Sequence, residues 1–154
     1  MNDVKAPRSR RGFFAAGGAA LVAAALAAHA PAALAEGAAA KPRLVLQVSD
    51  GDPMKWGLAL NNAKNVQSDY GGASKVDIEI VAYGPGIAML KMGSQAGERV
   101  SEAMKAGIHV AACENTMHNL KLTKADMLPE ISYVPSGVVE LMKKQQQGWA
   151  YVRP

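Results

Sequence analysis

Several common signatures are missing from this chain. It has one cysteine in 154 residues, so no internal disulfide framework is possible. No CxxC, HExxH, P-loop, GxGxxG or GxSxG pattern occurs, and nothing therefore points to structural zinc, nucleotide binding or serine hydrolysis. There are no internal repeats. With 49% hydrophobic and 19% charged residues, it is neither a disordered tail nor a collagen-like fibre. A surplus of one charge sign is also lacking once position is considered. The formal net charge is +4, but Lys5, Arg8, Arg10 and Arg11 all lie in the first eleven residues. Beyond Ala35 there are 13 basic and 12 acidic residues, so the body is near neutral and bulk charge offers no hold on nucleic acid.

The first 35 residues read as an address. A basic start leads into an uncharged, Ala- and Gly-rich stretch from Gly12 to Ala28. Ala33-Leu34-Ala35 then has the A-x-A form of a signal-peptidase site. Ser9-Arg10-Arg11-Gly12-Phe13-Phe14 resembles a twin-arginine export signal, with Arg10 and Arg11 as its pair. The alternative, an uncleaved anchor, is disfavoured because the apolar stretch falls short of the ~20 residues a spanning helix needs. The expectation is a cleaved signal over 1–35, a small-residue leader over 36–42 and one α/β domain over 43–154. The mature protein would be periplasmic, with no stable membrane anchor. In that oxidising compartment a lone cysteine is a buried inert thiol, an intermolecular link or a reactive free thiol.

The body alternates strand and helix patterns. Arg43–Val48 (RLVLQV) reads as a buried strand and Met54–Tyr70 as a helix whose apolar face carries Trp56, Ala59, Leu60, Ala63 and Val66. Lys75–Tyr83 alternates apolar and charged residues, which predicts a strand with one wet face near a sheet edge. Gly84-Pro85-Gly86 is a hard break, followed by one helical turn over Ile87–Lys91. Glu98–Ala106 reads as a helix and Ile108–Ala112 as a central strand. A further helix starts after Cys113, and Thr123 to Asp126 has capping-box spacing. Ile131–Val134 is a fourth strand. Ser136 caps a helix with Val138, Leu141, Met142 and Gln145 on one stripe, and Trp149–Val152 is a last short strand. Strands alternating with helices predict a mostly parallel sheet covered on both faces.

In such a sheet, ligands bind beyond the carboxyl ends of the strands. That rim would carry Asp50 and Asp52 after the first strand and Gly84, Pro85 and Gly86 after the second. Cys113, Asn115, Thr116 and His118 would follow the third. Cys113 is the candidate nucleophile, because a helix N-terminus lowers a thiol's pKa through its free N–H groups. A small buried hydrophobe at a strand end explains it as well. Asp50 and Asp52 could hold a polar ligand or anchor the next helix. The glycine-proline turn could aim N–H groups at an anion or simply turn the chain. His118 could reach the thiol or face solvent, and His109, inside a strand, reads as a core or interface residue. Cys113, Met117 and His118 include blue-copper ligand types, but such sites need a second histidine and usually a β-sandwich, so no metal is expected.

Four segments carry a family resemblance: Leu60–Asn65, Val81–Gly86, Gly107–Met117 and Gln147–Pro154. They resemble the DsrE/DsrF-like family, in its exported single-cysteine branch, from about Arg43 to Pro154. The resemblance implies a three-layer α/β/α fold with a parallel sheet of about five strands. It implies homotrimers, or homohexamers built from trimers. In sulfur-relay members a cysteine after the third strand carries sulfur as a persulfide, and Cys113 matches that position. No cofactor is implied. Two functions follow: a sulfur carrier working through Cys113 with a periplasmic donor or acceptor protein, or a non-catalytic oligomeric module that binds a ligand or partner and uses Cys113 structurally. Turnover of a substrate is implied by neither.

Overall fold

The computed structural model describes residues 40–154. The expected export signal over 1–35, with Arg10 and Arg11, and the start of the leader lie outside the described residues. Five strands alternate with four α-helices: β1 (Arg43–Val48), α1 (Pro53–Asp69), β2 (Asp77–Ala82), α2 (Gly97–Lys105), β3 (His109–Cys113), α3 (Glu114–Asn119), β4 (Ser132–Val134), α4 (Gly137–Gln146) and β5 (Ala150–Val152). Two 3-10 helices, Gly84–Leu90 and Lys124–Asp126, fill connections. The sheet order is β4-β3-β2-β1-β5 and every pairing is parallel. The α/β class read from the sequence is the observed one.

Local rules account for the element ends. Pro53 opens α1, where its missing N–H is no loss, and the Asp52 carboxylate caps the helix by accepting the Met54 N–H at 2.9 Å. Gly71 and Gly72, at φ +87° and +107°, turn the chain away after Tyr70. The Thr123–Asp126 pair forms the capping box its spacing predicts, opening the second 3-10 helix.

The period of two along each strand divides the core. Leu44, Leu46, Val48, Ile78, Ile80, Ala82, Val110 and Ala112 point to one face, where α1, α2, α3 and the Gly84–Leu90 helix bury them with Trp56, Leu60, Met89, Leu90, Val100 and Met117. The opposite face holds a small cluster: Val45, Val81 and Leu141, with Tyr83, Val134 and Trp149 beside them. Among the described residues, only α4 covers this second face.

Three expectations need correcting. β2 is no edge strand with a wet face. It lies at the centre of the sheet between β1 and β3, and Glu79 is only 7% exposed. Its carboxylate is paired with Lys144 of α4, so the apparent polar face is a covered one whose charge is matched from 65 residues away. The α4 stripe is thinner than its periodicity suggests: Leu141 is buried, but Val138 is 60% exposed and Met142 51%. A lone helix lying across the sheet touches it along one narrow line. His109 is exposed at the first position of β3 and has no place in the core.

Candidate functional site at the end of the third strand

Cys113 is the last residue of β3 and the N-cap of α3. Its backbone is extended, at φ −76° and ψ 113°, and Sγ takes the place usually held by a serine or aspartate oxygen. The sulfur accepts the Thr116 N–H at 3.4 Å, within the range for a sulfur acceptor. The β3–β4 register sets Cys113 opposite Val134, so the chain that follows, Pro135 to Gly137, runs beside the sulfur. Gly137 is the first residue of α4, and its N–H is among the groups that lower the thiol's pKa. Two helix starts therefore converge on one atom, each with unspent backbone donors.

The thiol is only 4% exposed. Burial pushes its pKa up, but the Thr116 hydroxyl and the N–H groups of Gly137, Thr116 and Asn115 more than offset this, leaving the thiol below its ordinary value of 9.0. The Asn115 contribution is the least, since that N–H also donates to the Pro135 carbonyl at 3.2 Å. The charged form is favoured by hydrogen bonding. Hydrogen bonding of this kind favours the thiolate, the reactive form of cysteine.

Thr116 joins the thiol to the second strand's tip. Its Oγ1 accepts the Gly84 N–H at 2.9 Å. Gly84 sits at φ +52°, in the left-handed region that glycine tolerates, and Gly86 donates its N–H to Tyr83 O at 3.1 Å. Gly86 admits no side chain, because a Cβ there would stand 2.3 Å from the Val48 carbonyl oxygen. The turn packs onto β1's exit, where a Cβ on Gly51 would be 3.4 Å from Pro85 Cβ. Two of the N–H groups that could have faced an anion, those of Gly84 and Gly86, are thus engaged within the protein.

The remaining rim candidates hold structure. Asp50 pairs with Lys55 at 3.2 Å and Arg153 at 3.3 Å, and these partners, Lys55 first, hold its carboxyl below the usual range. Its carbonyl accepts the Trp56 indole N–H at 2.6 Å. Asp52 is the α1 cap already described. Asn115 and His118 point outward, exposed on α3, while Met117 turns into the core. Among the described residues no group of three or more His, Cys, Asp or Glu side chains is arranged to hold a metal ion. No helix among them is long and apolar enough to cross a membrane.

Sequence reasoning misses Gly137 and Tyr83. A Cβ on Gly137 would lie 2.9 Å from Tyr83 Cβ, so glycine is what lets α4 begin this close to the strand tips. The available signal is a glycine directly after Pro135-Ser136, at a helix start where bulk is normally tolerated. A cleft of about 490 Å³ lies elsewhere, between α1 and α2, lined by Asn61, Lys64, Arg99 and Glu102 among others; Cys113 is not part of it.

Residues 43–154 match the model of the DsrE/DsrF-like family. A protein of unknown function, MTH1491 from Methanobacterium thermoautotrophicum, is 33% identical, with a TM-score of 0.69 over 73% of this chain and 99% of that one. A conserved protein of unknown function, BT1422 from Bacteroides thetaiotaomicron, shares 14% identity with a TM-score of 0.62, over 77% of this chain and 99% of its own. The ychN protein of E. coli shares 10%, with a TM-score of 0.58, over 74% and 99%. These last two likenesses are of fold. Among curated proteins no match is found.

Proposed function

The chain belongs to the DsrE/DsrF-like family, and from that premise we propose that it handles sulfur, with Cys113 accepting a sulfane sulfur atom as a persulfide and passing it on. One observation supports this above the others. The only cysteine stands after the third strand, where hydrogen-bond donors from two helix starts favour its ionised form.

The chemistry is two displacements at sulfur. The Cys113 thiolate attacks the outer sulfur of a donor persulfide, R–S–SH. A bond from Sγ to that sulfur forms as the donor's S–S bond breaks, and the electron pair leaves with the donor as R–S⁻. The proton stays on the transferred sulfur or passes to solvent. An acceptor thiolate then attacks the same sulfur and expels Cys113 as a thiolate, so no external oxidant or reductant is needed. Donors around Sγ stabilise it both as attacking and as leaving thiolate. In this reading the protein is exported behind Arg10 and Arg11, works in the periplasm with a donor or acceptor protein, and assembles as a homotrimer or homohexamer. The exposed apolar residues Val138, Val139 and Met142 of α4 favour self-association.

The 4% exposure of Cys113 favours a second reading, a binding module in which the thiol is structural. Treatment of the protein with polysulfide, followed by mass spectrometry, separates the two. The carrier gains the mass of one sulfur atom on Cys113 and loses that adduct in Cys113→Ser. The structural reading predicts no adduct, and alkylation by iodoacetamide at mildly acidic pH only once the protein is unfolded.

A further inference from the structure

The helix-covered face of the sheet carries a feature that the chemistry at Cys113 does not use. α1 and α2 run the same way across it, Gly57 and Asn61 beside Arg99 and Gln67 beside Ala106. Between them lies the cleft of about 490 Å³, a size within the range of small-molecule sites. Its floor is apolar: Leu60 and Ile108 are buried there, and Ala103 and Ala106 are too small to fill the gap between the helices. Two polar straps frame it. At one end Arg99 donates to Asn61 Oδ1 at 2.8 Å and to the Gly57 carbonyl at 3.3 Å. A Cβ on Gly57 would stand 3.0 Å from Arg99 Nη1, so a residue otherwise unfavourable inside a helix gives the guanidinium room. At the other end the Gln67 amide donates to the Ala106 carbonyl at 2.8 Å. Both straps end on neutral oxygens, which leave the charge of Arg99 unmatched. Between them stand Lys64 on α1 and Glu102 on α2, both exposed. Among the described residues, Lys64, Arg99 and Glu102 take part in no ion pair.

We propose that this cleft is a second binding site, for a free amino acid with an apolar side chain. Lys64 and Arg99 hold its carboxylate, Glu102 holds its ammonium, and Leu60, Ala103 and Ile108 take its side chain. Charges of opposite sign that line one cleft without pairing are complementary to a molecule that carries both. A plain carboxylic acid leaves Glu102 unmatched, and a plain amine leaves two cations so. The Arg99 fork, already fixed by Asn61 and Gly57, meets a carboxylate without first being ordered. The site stands apart from the sulfur chemistry. It opens on the face into which Val110 and Ala112 point, whereas Cys113 points to the other.

The test uses the full chain, with leucine, valine, methionine and phenylalanine as probes, followed by calorimetry and amide NMR. At least one of them is expected to bind and to move the resonances of α1 and α2 that border the cleft. The matching carboxylic acid without the ammonium, and the matching amine without the carboxylate, should each bind about tenfold more weakly, as expected when a charged group loses its partner. Lys64→Met and Glu102→Gln should each weaken the tightest probe by a similar factor, and Lys64→Arg should retain it. Both positions are exposed, so folding is not at stake. Cys113→Ser should bind like the wild type. Silence from all four probes at about 10 mM overturns the proposal in the wild type alone, since that excludes even millimolar affinity. So do resonance changes confined to other parts of the fold, or an acid or amine that binds as tightly as its amino acid. A Lys64→Met or Glu102→Gln protein that binds like the wild type overturns it as well. Absence of a persulfide adduct on Cys113 would remove the sulfur-carrier reading while leaving these titrations as they stand.

Discussion

The two faces of the sheet differ in how they are covered and in what they do. One face is buried beneath three helices and a 3-10 helix, with Leu46, Ile80, Met89, Leu90 and Val100 inaccessible to solvent. The other has, among the described residues, a single helix, a three-residue apolar cluster and a part-buried ion pair, Lys144 with Glu79. Cys113 belongs to the second face: Val110 and Ala112 point into the large core, so Ala111 and Cys113 point the other way. The thick face supplies stability. The thin face brings a helix start up to the sulfur and leaves Val138, Val139 and Met142 in solvent.

The comparison can be broken by truncation. Ile80→Ala should destabilise by about 4 kcal/mol, because the surrounding helices cannot collapse into the space, whereas Leu141→Ala should cost about 2 kcal/mol, because α4 can settle. Equal shifts in chemical denaturation would show that the faces contribute alike. Lys144→Met should cost about 3 kcal/mol, since it strands the buried Glu79 carboxylate; adding Glu79→Leu should recover most of that loss, as an apolar pair replaces the charges. A double variant no better than the single one would mean that the Trp149 ring, which Lys144 overlies at 4.3 Å, is the contact that matters. Asp52→Ala should cost about 1 kcal/mol by removing the α1 cap, with no effect on thiol reactivity.

The smallest effect is the one that depends on pH. The folded thiol ionises below its ordinary 9.0. Between the two values the unfolded chain holds a proton that the folded chain has released, so stability rises with pH across that interval. The extra stability is complete above the unfolded value and is lost as pH falls through the folded one. Wild type should therefore gain on Cys113→Ser as pH rises towards about 9.0 and level off beyond it. A difference between the two that is constant with pH would show that the donors do not favour the thiolate.

Most of the architecture is legible in the sequence because it is local. RLVLQV, the glycines after Tyr70 and the glycine-proline turn each carry their own instruction. The cysteine's place at a strand tip follows from the same alternation. What is not legible depends on pairing between distant residues. Glu79 looks solvated until Lys144 is placed above it. Gly137 looks like an ordinary helix start until β4 pairs with β3 and lays it beside Cys113. Asp50 and Asp52 have the composition of a ligand site, and only the structure shows them engaged with Lys55, Arg153 and the first turn of α1.

The strand order has a consequence for how the domain is made. β1 pairs with β5 on its outer side, Leu44 opposite Ala150 and Leu46 opposite Val152. Of the described strands, the first in chain order thus keeps one hydrogen-bonding edge bare until the fifth has been translated. Long-range parallel pairing of this kind is slow and exposes an aggregation-prone edge meanwhile. The Arg43 guanidinium, which donates to the Gln147 carbonyl at 2.5 Å, clasps the late segment to the early one once both are made.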